Sequence, residues 1–207
     1  MPDETKLYLI RHGATPENEK RPRILQGCGI DNALSETGRG QAKQVADYLK
    51  SFQVDAVFSS PLRRAVETAE AIASHHDLAV QTIEQIHEVE VGQWQSLDWG
   101  TIEREFPEAY ACYMQDSGKH GYLGGESCSD VLNRTSPAFD KLLRDNIGRT
   151  IAVVAHTVVN RTWLSSLLGI DLHRAKDLPQ DNCCINVIRY RDGHTQLVTL
   201  NSTLHLC

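Results

Sequence analysis

Four groups of reactive residues in this sequence each follow an apolar stretch of the chain. The apolar stretches 7–10, 55–59, 79–82 and 150–155 have the length and composition of buried strands. Because the carboxyl ends of parallel strands meet at one edge of an open α/β sheet, we expect the residues that follow them to converge on one crevice. Those residues are Arg11 with His12, Arg63 with Arg64, Glu88, and His156.

Arginine, histidine and carboxylate side chains in one crevice indicate chemistry on a phosphoryl group. Arginine binds a phosphoryl dianion through paired hydrogen bonds better than lysine does, and the helix N-terminus predicted at Arg63 and Arg64 adds to that attraction. A histidine held between arginines can attack phosphorus, and a carboxylate can protonate the departing alcohol and then activate water. Since the arginines and the second histidine supply positive charge, this chemistry requires no metal ion and no other cofactor.

The helices that separate the predicted strands have recognisable ends. Ser35 is the expected N-cap of one helix, and Ser60 followed by Pro61 is the expected start of the next. A further helix is predicted over Val158–Leu168 and is ended by Gly169, in the position that a left-handed cap prefers. Strands and helices therefore alternate along most of the chain, which predicts an α/β sandwich with a mainly parallel sheet.

Two segments depart from this alternation. Residues 183–190 and 195–200 predict two strands joined by a hairpin turn, and hence an antiparallel edge of the sheet. Cys183 and Cys184 are expected at the start of the first of these strands, on opposite faces. Residues 92–125 concentrate tryptophan, tyrosine and glycine, and we interpret them as a small helical cap inserted into a single domain that spans residues 1–207.

Composition excludes several functional classes. The 207 residues carry a net charge of −6, which disfavours a nucleic-acid or anionic-membrane surface. No apolar run approaches the roughly 18 residues that a membrane helix needs, and Met1–Thr5 is polar and acidic, so we expect a cytoplasmic protein. Six cysteines without a C-x-x-C pair are expected to be reduced and structural.

Several segments together resemble the histidine phosphatase superfamily, the phosphoglycerate-mutase-like group. The similarity spans residues 6–190 and keeps the order of the family's motifs. Glu88 with Gly92 and Trp94 matches the family's acid segment. The other matching segments are 11–15 (RHGAT) with Asn18, 34–38 (LSETG), 59–65 (SSPLRRA) and 153–156 (VVAH).

The resemblance implies a three-layer α/β/α sandwich, no metal, and a phosphohistidine intermediate on His12. Glu88 is then the proton donor, and Gly13 is the small residue that lets the loop approach the phosphoryl group. Arg63 is expected to be a solvated neighbour of the site, and His87 to point away from it. The implied phosphate pocket consists of Arg11, Asn18, Arg64 and His156, with Thr157 and His205 as further candidates for substrate contact.

The sequence alone does not decide to which branch of the superfamily the chain is most similar. Hydrolysis is favoured over a cofactor-dependent phosphoglycerate mutase because the segment 92–125 is short for a mutase, and a non-catalytic phospho-ligand binder would have no use for Glu88. Asp181 with Asn182 and the segment 156–161 are similar to metal-independent phosphoserine phosphatases, although Val91 stands where that branch tends to place a histidine. We therefore expect a small phosphorylated metabolite, phosphoserine-like or phosphoglycerate-like, as substrate, and a homodimer through an edge strand is plausible.

Overall fold

The structure is a computed structural model and describes residues 3–206, so Met1, Pro2 and Cys207 lie outside it. Its centre is one six-stranded sheet with the strand order β3-β2-β4-β1-β5-β6. The strands are β1 (Glu4–Arg11), β2 (Ala56–Ser59), β3 (Val80–Thr82), β4 (Thr150–Ala155), β5 (Ile185–Arg191) and β6 (His194–Ser202). The pairs β1–β4, β4–β2 and β2–β3 are parallel, whereas β1–β5 and β5–β6 are antiparallel.

Helices cover both faces of this sheet. The helices are α1 (Pro16–Glu19), α2 (Glu36–Leu49), α3 (Arg63–Ala73), α4 (Trp99–Glu105), α5 (Pro107–Gln115), α6 (Cys128–Asp145) and α7 (Thr157–Leu168). Alternate residues of β1 enter different cores: Leu7 and Leu9 pack on the side of α6 and α7, and Tyr8 and Ile10 on the side of α2 and α3. The predicted three-layer α/β/α sandwich with an antiparallel edge is therefore confirmed.

Several predicted element ends are confirmed. The Ser35 hydroxyl accepts a hydrogen bond from the backbone N–H of Gly38 and caps α2. Gly169 ends α7 in the left-handed conformation. Asp192 and Gly193 both have positive φ, as the two-residue turn of the β5–β6 hairpin requires. Short helices α4 and α5 form the predicted helical segment within residues 92–125.

Two local predictions are wrong. Helix α3 begins at Arg63 with Leu62 as N-cap, so Ser60 is not the N-cap. The Ser60 hydroxyl accepts a hydrogen bond from the Leu62 backbone N–H at 3.3 Å and lies 2.7 Å from His156 Nε2. Cys183 and Cys184 lie in a turn before β5, where Cys183 has a φ of 56°, so they do not occupy opposite strand faces. The backbone N–H of Cys183 donates to the Arg11 carbonyl, which holds this turn against the end of β1.

Two glycines let the loop after β1 cross α2 at close range. A Cβ on Gly13 would lie 2.5 Å from the carbonyl oxygen of Gly38, and a Cβ on Gly38 would overlap the carbonyl oxygen of Ala14. The expectation that Gly13 is small to admit the phosphoryl group is therefore replaced by a packing reason. The backbone of the loop lies directly on the first turn of α2.

We predict opposite effects for two glycine-to-alanine substitutions in α2. Gly38→Ala should lower the free energy of unfolding by about 1–3 kcal/mol, because the added methyl group meets backbone atoms that cannot move aside. Gly40→Ala should raise it by about 0.5–1 kcal/mol, because the position is exposed, helical and open around the added methyl group. Urea unfolding of both variants measures the difference, and equal effects would contradict the close crossing.

Candidate active site

His12 lies where β1 ends and is almost fully buried. Its backbone N–H donates to the Ala155 carbonyl at 3.1 Å, which holds it beside the end of β4. On the ring, Nδ1 lies 2.7 Å from the Gly13 carbonyl oxygen. A carbonyl only accepts hydrogen bonds, so Nδ1 carries the hydrogen. When the ring is neutral, Nε2 therefore presents an unprotonated lone pair.

The surroundings keep this ring neutral. Burial, followed by the positive charges of Arg64 and Arg11, lowers the pKa of His12 well below its ordinary value. Both effects disfavour the protonated imidazolium, since one removes its hydration and the other adds like charge. A neutral imidazole with a free Nε2 is the form that can act as a nucleophile.

His156 faces His12 from the end of β4. The two ring centroids are 5.1 Å apart. Nε2 of His156 lies 2.7 Å from the Ser60 hydroxyl, and its buried Nδ1 has no hydrogen-bond partner among the residues that the structure describes. Burial, Arg64 and His12 lower the pKa of His156 well below its usual range. The hydrogen bond at Nε2 therefore holds the ring in place, and Nδ1 is free to contact a ligand.

Arg64 and Arg11 are held by backbone carbonyl groups. The terminal nitrogens of the buried Arg64 donate to Ile30 at 2.7 Å and to Gly27 at 2.9 Å. One terminal nitrogen of Arg11 donates to Gln180 at 2.7 Å. In both arginines Nε is buried and has no protein partner within residues 3–206. Burial is the largest cause of the lowered pKa of Arg11, which falls to about 10.

Asn18 reaches the same pocket from the short helix α1. Thr15 caps this helix, and the Asn18 side-chain oxygen accepts a hydrogen bond from the Thr15 backbone N–H at 3.2 Å. The same oxygen accepts a longer one from Asn182 Nδ2 at 3.3 Å. Because the oxygen is engaged in this way, the amide nitrogen of Asn18 remains available as a donor within a cavity that Asn18 lines.

Glu88 enters the site from the loop after β3. Its Oε1 accepts a hydrogen bond from the backbone N–H of Val89 at 2.9 Å, and its Oε2 a longer one from Val158, in the first turn of α7, at 3.4 Å. Its side chain is almost fully buried. The carboxyl group is thereby tied to the element that follows His156.

Arg134 of α6 anchors the segment that carries Glu88. Its guanidinium pairs with both carboxylate oxygens of Glu126, at 2.7 and 2.9 Å. The same group donates to the backbone carbonyls of Gln85 at 2.7 Å, His87 at 2.9 Å and Glu88 at 3.3 Å. One side chain thus fixes the backbone at Glu88 and in the residues just before it.

A cavity of about 650 Å³ joins these groups. Its floor contains His12, Arg11, Arg64, Asn18 and Glu88. The cap forms much of one wall with Trp99, Tyr110, Tyr113, Met114 and Tyr122. Trp94 is fully buried among them, and the others also face the cavity.

Of the other residues considered from the sequence, Thr157 lines the cavity, whereas His205 and Arg63 do not. Thr157 lines the cavity at the start of α7. His205 does not line it, because its ring packs on Tyr48 of α2 and its Nε2 lies 2.9 Å from the Cys183 carbonyl oxygen, so its position does not support the predicted substrate contact. Arg63 is exposed and pairs with Glu67, as expected for a solvated neighbour.

Several residues that line the cavity had no individual role assigned from the sequence, although Asn182 and the segment 156–161, which contains Arg161, are part of the similarity to phosphoserine phosphatases. Arg161 lies one turn after Thr157 on α7, and this spacing could have indicated a shared face. Gln180 and Asn182 belong to the turn before β5, which antiparallel pairing brings to the carboxyl end of β1. No sequence period points to these two residues. Only the pairing of β5 with β1 places them at the site.

Neither a cluster of metal ligands nor a membrane-spanning helix is found in residues 3–206. No group of three or more histidine, cysteine, aspartate or glutamate side chains is arranged to hold a metal ion in this part of the chain. No helix in the same range is long and apolar enough to cross a membrane.

Comparison with known proteins identifies the family. The model of the histidine phosphatase superfamily (branch 1) matches residues 7–203. Phosphoserine phosphatase 1 of Hydrogenobacter thermophilus is 32% identical over 201 residues, which cover 97% of this chain and 94% of that protein.

Solved structures agree with the family match. Phosphoserine phosphatase from Entamoeba histolytica, in complex with 3-phosphoglyceric acid, is similar with a TM-score of 0.86 and 31% identity, over 98% of this chain and 100% of that one. A mycobacterial glucosyl-3-phosphoglycerate phosphatase has a TM-score of 0.85 and 27% identity, over 97% of this chain and 100% of that one. With its two facing histidines, its buried arginines and these relatives, the chain belongs to the histidine phosphatase superfamily and is a phosphatase.

Proposed function

We propose that this phosphatase hydrolyses a small phosphorylated metabolite, a phosphoserine-like or phosphoglycerate-like monoester, through a phosphohistidine on His12. The observation that carries the proposal is the hydrogen bond from His12 Nδ1 to Gly13, which leaves Nε2 free. Around it lie the unpartnered buried nitrogens of Arg11, Arg64 and His156. The relatives named as phosphoserine and glucosyl-3-phosphoglycerate phosphatases support this substrate class.

The first step transfers the phosphoryl group to the enzyme. Nε2 of His12 attacks phosphorus, a nitrogen–phosphorus bond forms, and the bond from phosphorus to the ester oxygen breaks. Protonated Glu88 gives its proton to that oxygen, so the product leaves as an alcohol. Attachment of Glu88 to the first turn of α7 supports this role, because it keeps the carboxyl group beside the histidine pocket.

In the second step water releases the phosphoryl group. The Glu88 carboxylate takes a proton from the attacking water, an oxygen–phosphorus bond forms, and the nitrogen–phosphorus bond breaks. Inorganic phosphate leaves, and His12 and protonated Glu88 are restored. The transferring group carries negative charge throughout, and the Nε–H groups of Arg11 and Arg64 are donors suited to stabilise it. We therefore propose that no metal ion takes part.

The mutase and binder alternatives differ from hydrolysis in measurable ways. A mutase would isomerise 3-phosphoglycerate faster than it releases phosphate, and a binder would hold its ligand without turnover. The phosphatases among the relatives favour hydrolysis. A cytoplasmic location and a homodimer through an edge strand stay predictions.

Replacing the proposed nucleophile should abolish the covalent intermediate. We expect His12→Ala to lose more than about a thousandfold in turnover and to take up no radioactive phosphate that is stable to base and labile to acid. Wild-type protein and the exposed-surface variant His120→Ala should both be labelled. Labelled His12→Ala protein would contradict the mechanism. Activity that EDTA abolishes and magnesium restores would contradict its metal independence.

Replacing the proposed proton donor should matter most for esters with poor leaving groups. Glu88→Gln should slow phosphoryl transfer from phosphoserine to His12 by about 10²–10⁴-fold, and the initial burst of p-nitrophenolate from p-nitrophenyl phosphate much less, because p-nitrophenolate leaves without protonation. Arg134→Met should show the same pattern more weakly, since Arg134 fixes the backbone around Glu88.

The exposed Arg144, on the same helix as Arg134, provides the matched control Arg144→Met. Arg144→Met should leave the rates with phosphoserine and with p-nitrophenyl phosphate unchanged. If Arg134→Met slows both substrates equally, or if its effect adds in full to that of Glu88→Gln, Arg134 does not act through Glu88.

The lowered pKa of His12 gives a prediction for its titration. An ordinary histidine, with a pKa of about 6.5, is mostly protonated at a pH of about 5.5. Because burial and two arginines lower the pKa of His12, its ring should become protonated only at a more acidic pH than an ordinary histidine. NMR of labelled histidine can follow the ring, and His12→Ala identifies its signal. A midpoint at or above about 6.5 would contradict the assigned environment.

A further inference from the structure

The cavity contains an arginine that the proposed phosphate pocket does not use. Arg161 of α7 lines the cavity, and its Nε donates to the Leu178 carbonyl at 2.7 Å. This bond holds the guanidinium by one edge. Its two terminal nitrogens have no hydrogen-bond partner within the described part of the chain, and the side chain is only partly exposed.

Arg161 lies on the side of the cavity that receives the leaving alcohol. Val158, three residues earlier on α7, donates its backbone N–H to Glu88. Residues three and four apart share one helix face, and Thr157, Val158 and Arg161 all line the cavity. In the proposed function Glu88 protonates the ester oxygen, so the group next to it is the substrate's alcohol portion.

Two tyrosines on the same side provide a further hydrogen-bond donor. The hydroxyls of Tyr113 and Tyr122 are 2.9 Å apart and bond to each other. Two hydroxyl groups have two hydrogens, and one mutual bond uses only one of them. The second hydrogen has no acceptor within residues 3–206, and both tyrosines line the cavity. Tyr113 donates in the mutual bond, so the free hydrogen belongs to Tyr122, and burial raises the pKa of Tyr122 well above its ordinary value.

We propose that Arg161, assisted by the Tyr113–Tyr122 pair, binds a carboxylate carried by the alcohol portion of the substrate. The site therefore selects phosphate esters of small hydroxycarboxylic acids, an inference that rests on the proposed function. A guanidinium fork with both terminal nitrogens free matches the two oxygens of a carboxylate. The side chains of Trp99, Tyr110 and Met114 line the same cavity and give it an apolar wall.

The experiment compares two substrates that differ in the second anion. We expect Arg161→Gln to lower kcat/KM for 3-phosphoglycerate by about 10- to 100-fold, the amount that a charged hydrogen-bonded pair contributes. Most of the change should appear in KM. For p-nitrophenyl phosphate, which carries no carboxylate, kcat/KM should change less than about threefold. The control Arg174→Gln alters an exposed arginine paired with Asp177 and should affect neither substrate.

A second measurement uses the wild-type protein and does not depend on how the variant folds. 3-Phosphoglycerate and glycerol 3-phosphate differ only by a carboxylate in place of a hydroxymethyl group, and we expect about a tenfold or greater preference for the first. Equal rates for this pair, or an equal loss on both substrates in a folded Arg161→Gln protein, would overturn the carboxylate site.

The two proposals fail in different ways. If only the carboxylate site is wrong, His12 remains essential for hydrolysis of p-nitrophenyl phosphate, while substrates with and without a carboxylate react alike. If the proposed function is wrong, His12→Ala retains activity towards p-nitrophenyl phosphate or the wild-type protein has none.

Discussion

The site depends on positive charge that is buried without a carboxylate partner. The hydrogen bonds of Arg64 go to the carbonyls of Gly27 and Ile30, and that of Arg11 goes to the carbonyl of Gln180. Carbonyl oxygens satisfy N–H groups but carry only partial charge, and within residues 3–206 neither guanidinium forms an ion pair with a carboxylate, although the charge of Glu88 acts on both. That arrangement attracts a dianion, and together with burial, which is the larger cause, it lowers the pKa of the two neighbouring imidazoles.

Holding such groups in place requires support from distant parts of the chain. Parallel pairing of β1 with β4 sets His12 beside His156. Behind Arg11, the buried side chains of Gln180, Asn160 and Asn186 form hydrogen bonds with one another, and Asn186 also donates to the Leu9 carbonyl. The carbonyl that binds Arg11 is therefore fixed to β1 and to α7. A movement of any one of these elements would move the guanidinium.

The two ends of the cavity have different physical character. Histidines and arginines with free nitrogens line the phosphate end, which is suited to a group that every phosphate ester shares. At the other end, the cap contributes an aromatic wall, and α7 contributes Arg161 beside Glu88. Catalysis and selection of the alcohol are thus assigned to separate elements.

Much of this could be predicted from the sequence because it depends on local pattern. Apolar runs indicated the strands, and the position of His12, Glu88 and His156 after them indicated one crevice. Other predictions were wrong because contacts between residues far apart in the sequence determine the local structure. Ser60 lies two residues before the Leu62 N-cap, and its hydroxyl also contacts His156, 96 residues away. Gly13 is small because of Gly38, and His205 packs on Tyr48 instead of the cavity.

The sequence by itself determined which residues can do the chemistry and at which edge of the sheet they meet, because strand period and strand ends are local properties. Only the tertiary structure decided which nitrogen atoms are left free, that Arg134 anchors the Glu88 segment, and that Arg161 lines the same cavity as Glu88. The physical reason is that a side chain's partners are set by packing between segments far apart in the chain. No spacing along the sequence records that packing.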